Sequence, residues 1–167
     1  MQPHNFMFIL LTLLCVPLVA TAATYQRTGT VVKVSDGDTL TLQVKSKAFK
    51  VRLSEIDSPE SCQIFGPEAT AFARDAVLGK TVRVTWTKTD RYRRRLGTVE
   101  LADGSTLNAR LVGAGLAMAY TAYKPSAAIV ALELEARRAH IGLWQEVNPV
   151  PPWTFRKLHG PCPVQKR

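Results

Sequence analysis

The hydrophobic pattern along this chain changes period several times, and each change marks an element. Thr28 to Val34 is rich in β-branched residues and stops at the turn sequence Ser35-Asp36-Gly37-Asp38. Thr39 to Val44 then alternates apolar with polar and reads as the returning arm of a hairpin. Phe49 to Ile56 is a third strand, with Val51 and Leu53 on one face and Lys50, Arg52 and Ser54 on the other. It ends at Asp57-Ser58-Pro59, where proline stops the ladder. Helical spacing begins after Gly66-Pro67-Glu68, with Ala69, Phe72, Ala73 and Ala76 on one stripe and Gly79 closing the helix. Thr81 to Thr87 and Thr98 to Leu101 read as two more strands, and Leu107 to Val112 as a short helix. A last helix runs from a Ser126 cap to about His140, with Leu132, Ala136 and Ala139 on one stripe. Three strands, a helix, two strands and two helices are the order expected of an α+β chain that is mainly a small β barrel, and a five-stranded oligonucleotide-binding (OB) barrel with three packed helices fits that count.

The two ends break this pattern. Phe6 to Ala20 is almost wholly apolar and precedes Ala20-Thr21-Ala22, a small-x-small site suited to a signal peptidase. The apolar run is short for a membrane span. Residues 1–22 are therefore read as a signal peptide, 23–146 as the barrel domain and 147–167 as a proline-rich tail, extended over the domain or partly disordered. Export would place the protein outside the cytoplasm, secreted or periplasmic, with no stable membrane association once the signal is removed. Cleavage after Ala22 leaves two cysteines, Cys62 and Cys162. In an oxidising compartment they are candidates for a disulfide, and two unrelated thiols are the alternative.

Charge narrows the partner. Lysine and arginine total 22 against 13 acids, a formal charge of +9, which favours a polyanion, whether nucleic acid, anionic lipid or cell-wall polymer. The histidines (His4, His140 and His159) assemble neither a zinc finger nor a histidine-based nuclease, and no CxxC is present. What remains is a set of acids and arginines near strand ends: Asp36 and Asp38 on one turn, Asp57 and Glu60 after another strand, Arg52 before them, and Arg94 in the basic run Arg91 to Arg95. Phosphodiester hydrolysis needs a hard cation on oxygen ligands, a base for water, and positive groups over the phosphate oxygens. Each of these residues taken singly is an ordinary turn acid or solvated arginine.

Taken in order they form a specific pattern. Asp36-Gly37-Asp38-Thr39, Val51-Arg52-Leu53, Ile56-Asp57-Ser58-Pro59-Glu60, Phe65-Gly66-Pro67-Glu68-Ala69, Asp90-Arg91-Tyr92, Arg94, Asn108, Gly115-Leu116-Ala117 and Tyr123-Lys124-Pro125 resemble the staphylococcal (thermonuclease-like) nuclease family from about Gly29 to Trp144. The resemblance implies a Ca²⁺-dependent endonuclease that cuts DNA and RNA and leaves 3′-phosphates, most simply as a monomer. It implies that Asp38, Asp57 and the Ser58 carbonyl hold calcium, with Asp36 just outside them. Glu60 would be the general base, Arg52 and Arg94 would clamp the phosphate, and Tyr92, Tyr120 and Tyr123 would line the nucleotide site. Three positions depart from the family pattern. Arg93 stands where the family has glycine, leaving Arg93 and Arg95 as alternatives to Arg94. Glu55 replaces a small or apolar residue, and Tyr120 to Tyr123 is one residue longer.

Overall fold

In a computed structural model, which describes residues 23–160 and 162–163, the first strand organises the fold. The signal peptide at 1–22 lies outside the described residues. Strand β1 (Tyr25–Asp36) is long enough to serve two neighbours. Its first half pairs antiparallel with the later strand Thr81–Thr89, and its second half with β2 (Thr39–Val44). Register shifts after Val31 and Val34 bend β1 between the two partners. Next come β3 (Lys47–Leu53) and the short β4 (Ile56–Asp57), then β5, the Thr81–Thr89 strand already met, and β6 (Arg95–Glu100). The barrel closes in the order β1-β2-β3-β6-β5, with β3 and β6 parallel. A two-residue strand, β7 (Met118–Ala119), pairs with β4 outside the barrel.

Val31, Leu40, Leu42, Val51, Leu53, Val84 and Val99 are buried inside the barrel strands, as the alternating pattern requires. Helix α1 (Gly66–Val77) lays Ala69, Ala73 and Val77 into the core, one residue per turn, while Phe72 and Ala76 pack at its edge. Helix α2 (Leu107–Gly113) is capped by the Thr106 side chain, which accepts the Ala109 N–H at 3.1 Å. Its buried Asn108 donates to the Ser54 carbonyl at 2.9 Å and accepts from Val99 N–H at 3.2 Å, tying the end of β3 to β6. Helix α3 (Ala127–Arg138) begins at Ser126, as predicted. Its buried stripe is Ile129, Glu133 and Ala136, and Ala139 lies exposed beyond it. Glu133 is tolerated there because its carboxylate accepts the Ala119 N–H at 3.1 Å.

The tail adds a helix the sequence reading did not include. After Pro151 the chain turns into α4 (Pro152–His159), proline at its first position and Arg156, Lys157 and His159 in its last turn. Beyond it, Cys162 bonds to Cys62 with Cα atoms 5.7 Å apart, so the cysteines form a disulfide.

Candidate active site

The acids and arginines gather at one end of the barrel because two glycines permit close approach there. A Cβ on Gly37 would sit 2.7 Å from the Ser58 Cβ and 2.9 Å from the Ala69 Cβ. Without one, the Asp36–Asp38 turn packs directly against the segment after β4. A Cβ on Gly66 would lie 1.8 Å from the Glu60 carbonyl oxygen, so the start of α1 fixes the Glu60 loop the same way. The result is a cleft of about 450 Å³ lined by Asp36, Asp38, Arg52, Asp57, Ser58, Glu60, Arg94 and three tyrosines, with further side chains around them.

At its closed end Arg52 bridges two buried carboxylates. Its Nη2 lies 2.6 Å from Asp57 Oδ1 and 3.0 Å from Asp38 Oδ2, and its Nη1 donates to the carbonyls of Leu53 (2.7 Å) and Ile56 (3.0 Å). Three hydrogen bonds and the ion pair with Asp38 engage its terminal nitrogens, and among the described residues its Nε–H donates no hydrogen bond. The Ser58 N–H reaches Asp38 Oδ2 at 2.7 Å, and Asp36 Oδ1 receives the Asp38 N–H at 3.1 Å. Burial pushes the Asp38 carboxyl up to about 7, against the pull of Arg52 and with the repulsion of Asp36. Burial likewise raises Asp57, against hydrogen bonds from Arg156 and the charge of Arg52. Burial acts to lower Arg52, but Asp38 and Asp57 together hold it above its ordinary value. One guanidinium shared between two desolvated carboxylates is therefore held charged more firmly than either acid is held anionic.

These donors fit a hard cation. They are oxygens only and they are buried, with Arg52 and Arg156 paired to them. Among the described residues the buried Ser58 Oγ, packed against Gly37, has no hydrogen-bond partner. Among the described residues no three His, Cys, Asp or Glu side chains form a ready cage.

On the rim, Asp90 folds the 90–94 turn by accepting the N–H groups of Tyr92 and Arg94, each at 2.9 Å, and pairs with Arg94 Nε at 2.7 Å. Those backbone bonds and the Arg94 charge hold Asp90 below the usual carboxylate range although burial opposes them. Arg94 thus enters the cleft by its Nε edge fixed, and among the described residues its terminal nitrogens donate no hydrogen bond. Arg93 takes the left-handed conformation (φ 60°) that glycine would fill, and the turn keeps its register. Arg95 is directed elsewhere, its Cζ 3.5 Å from the Phe49 ring centroid. Of the three arginines, Arg94 alone lines the cleft. Glu55 also turns away: it lies in a left-handed position and accepts from the Ser126 hydroxyl at 3.1 Å. Tyr92, Tyr120 and Tyr123 all line the cleft, the last two edge to face at 4.9 Å, so the extra residue between them removes neither.

One cleft residue was missed. Arg156 of α4 reaches Asp57 Oδ2 at 2.7 Å and Glu60 Oε1 at 2.7 Å. The available signals were Pro151-Pro152 ahead of a basic turn, and a cysteine beyond it whose partner is two residues from Glu60.

A closed barrel of mixed strands with acids and arginines clustered at one end places the molecule among the OB-type barrels with a polar, charge-dense cleft. The model of staphylococcal nuclease homologues matches residues 50–146. The chain is 43% identical over 128 residues to an uncharacterized endonuclease of Escherichia coli O157:H7, covering 77% of this chain and 84% of the relative. It is 40% identical over 139 residues to a micrococcal nuclease of Shigella flexneri, covering 77% and 80%. An uncharacterized endonuclease of Haemophilus influenzae is 37% identical over 155 residues, covering 92% and 86%. The chain belongs to the staphylococcal nuclease family.

Proposed function

We propose that this protein is an exported, Ca²⁺-dependent endonuclease that hydrolyses phosphodiester bonds of DNA and RNA and leaves 3′-phosphate ends. The observation that carries the reading is the buried pair Asp38 and Asp57, joined by Arg52 at the bottom of a cleft that also holds Glu60 and Arg94. Family membership and the nuclease names of the relatives support the substrate class.

In this reading Asp38, Asp57 and the Ser58 carbonyl hold the cation, with Asp36 orienting Asp38 through its backbone. The cation, when bound, supplies positive charge beside the phosphate and lowers the cost of an attacking hydroxide. Glu60 takes a proton from water as the water oxygen attacks phosphorus. The bond to the 5′ oxygen breaks, and that oxygen takes up a proton from solvent. Arg94 presents its two terminal nitrogens, and Arg52 its remaining Nε–H, to the charge that builds on the phosphate oxygens. Tyr92, Tyr120 and Tyr123 bound the space for the nucleotide.

The test is digestion of single-stranded DNA and RNA by the purified protein, with Ca²⁺ and with chelator, beside Glu60→Ala. Cleavage should require Ca²⁺ and fall by about 100-fold or more in the variant. Product ends should resist polymerase extension until a phosphatase removes the 3′-phosphate. Chelator-insensitive cleavage would refute the calcium assignment. Salt-sensitive binding without cleavage would make the barrel a non-catalytic binding module. Export is tested separately, by the N-terminus of the fractionated protein, which should be Ala23.

A further inference from the structure

The segment that supplies Arg156 lies beyond the 50–146 span of the family match, yet it is wired into the cleft at several points. The Cys62–Cys162 bridge holds its far end. Gln63 Nε2 donates to the Val150 carbonyl at 2.6 Å, and Trp153 stacks on Tyr120 with centroids 5.3 Å apart. Each contact joins the tail to a residue in or next to the cleft lining. From this anchored helix Arg156 sends Nη2 to Asp57 Oδ2 at 2.7 Å, and Nη1 to Asp57 Oδ1 at 3.1 Å and Glu60 Oε1 at 2.7 Å.

Glu60 needs such a partner. It sits on an irregular stretch between β4 and α1, where no regular hydrogen-bond ladder fixes its side chain. Among the described residues Arg156 is the one group that bonds its carboxylate, and it takes Oε1 while Oε2 accepts no hydrogen bond. A general base works when one oxygen is held and the other faces its water, and small misplacements of such a group are expensive in rate. A guanidinium fork can span two carboxylates in this way, whereas a lysine ammonium is a single point charge.

Resting on the nuclease reading above, we propose that Arg156 is a positioning residue of the active site. It holds Glu60 by Oε1 and presents Oε2 to the attacking water, and the Cys62–Cys162 bridge is the tether that delivers it. Assembly of the site then depends on oxidation of two cysteines that take no part in the chemistry.

The experiment measures kcat and KM on a single-stranded oligonucleotide for the parent, Arg156→Ala, Arg156→Lys and the Cys62→Ser/Cys162→Ser pair. Melting temperatures of Glu60→Ala, Arg156→Ala and the double variant are taken alongside. Arg156→Ala should lower kcat by about 10- to 100-fold with KM changed less than about threefold. Added guanidinium should restore part of the loss, and lysine should restore less than the native side chain provides. The cysteine pair should lower kcat in the same sense, with little further loss when combined with Arg156→Ala. The melting temperatures should be non-additive, because both single variants break the shared Arg156–Glu60 contact. Unchanged or raised kcat in Arg156→Ala would overturn the proposal and make the guanidinium a plug over the carboxylates. Additive melting temperatures would overturn it too. A parent that fails to cut DNA sinks the nuclease reading instead, and the melting cycle then judges the Arg156–Glu60 contact by itself.

Discussion

Replacing Arg52 by methionine should destabilise the calcium-free protein strongly at pH 7 and much less at pH 5. Methionine fills most of the buried volume, so the change isolates charge and hydrogen bonding. Asp57 loses its 2.6 Å bond but keeps Arg156, Asp38 loses its 3.0 Å ion pair but keeps the Ser58 N–H, and two backbone carbonyls lose their donor. Stranding a buried partner costs about 3–5 kcal/mol, and an orphaned carbonyl about 1–3 more. Protonation limits the loss. An acid whose folded-state value is raised contributes stability below its unfolded value of 3.8, and that stability is lost as pH rises toward the folded value. In the parent Asp38 already follows this course up to about 7. In the variant the Asp57 carboxyl, without the Arg52 charge, is pushed up further. The difference between parent and variant should then shrink as pH falls, by at most about 1.4 kcal/mol per pH unit, wherever the variant alone keeps Asp57 protonated. Urea denaturation in chelator at pH 5, 6 and 7 measures this directly. A penalty that is equal at pH 5 and 7 would refute the reasoning, because lost packing and lost carbonyl bonds have no pH dependence.

Asp38→Asn removes the acid whose ionisation burial opposes, so it should stabilise the chelated protein at pH 7 by about 1–3 kcal/mol. The same variant should lose the rise in melting temperature that Ca²⁺ gives the parent. Arg93→Gly should stabilise by about 1 kcal/mol, read as a higher melting temperature, because glycine relieves a left-handed backbone that costs an L-residue about 1–2 kcal/mol. Thr106→Ala should cost about 1 kcal/mol in urea denaturation, since the Ala109 N–H loses its cap.

The barrel was legible because its elements depend on local order. The Thr39–Val44 alternation, the Gly66-Pro67 start and the Ser126 cap each state a conformation within a few residues, and the structure places β2, α1 and α3 on them. The site was legible differently. No single acid or arginine announced itself, but their order along the chain did, and the fold brings Asp36, Asp38, Arg52, Asp57, Ser58, Glu60 and Arg94 into one cleft. Arg93 shows the limit of pattern. A missing glycine warned of a shifted loop, but an arginine can occupy the left-handed region at modest cost when Asp90 holds the turn from both sides.

Helix α4 was not read from the tail because its information is non-local. Five prolines between 149 and 163 suggested an extended run, and eight residues are a marginal helix in isolation. What stabilises α4 is a bridge to Cys62 one hundred residues earlier, the Trp153–Tyr120 stack, and the ion pairs of Arg156 with Asp57 and Glu60. The same contacts that form the helix bring a further positive charge to the acids of the cleft. Asp36, Asp38, Asp57 and Glu60 face Arg52 within it, while Arg94 is already paired with Asp90. A buried acid pair of this kind is unfavourable for folding alone, as the raised Asp38 and Asp57 show. Its retention at the bottom of an open cleft, with Arg52 shared and Arg156 brought in from the far end of the chain, is what a site selected for binding charge looks like, whereas a core selected for stability would have replaced those acids with apolar side chains.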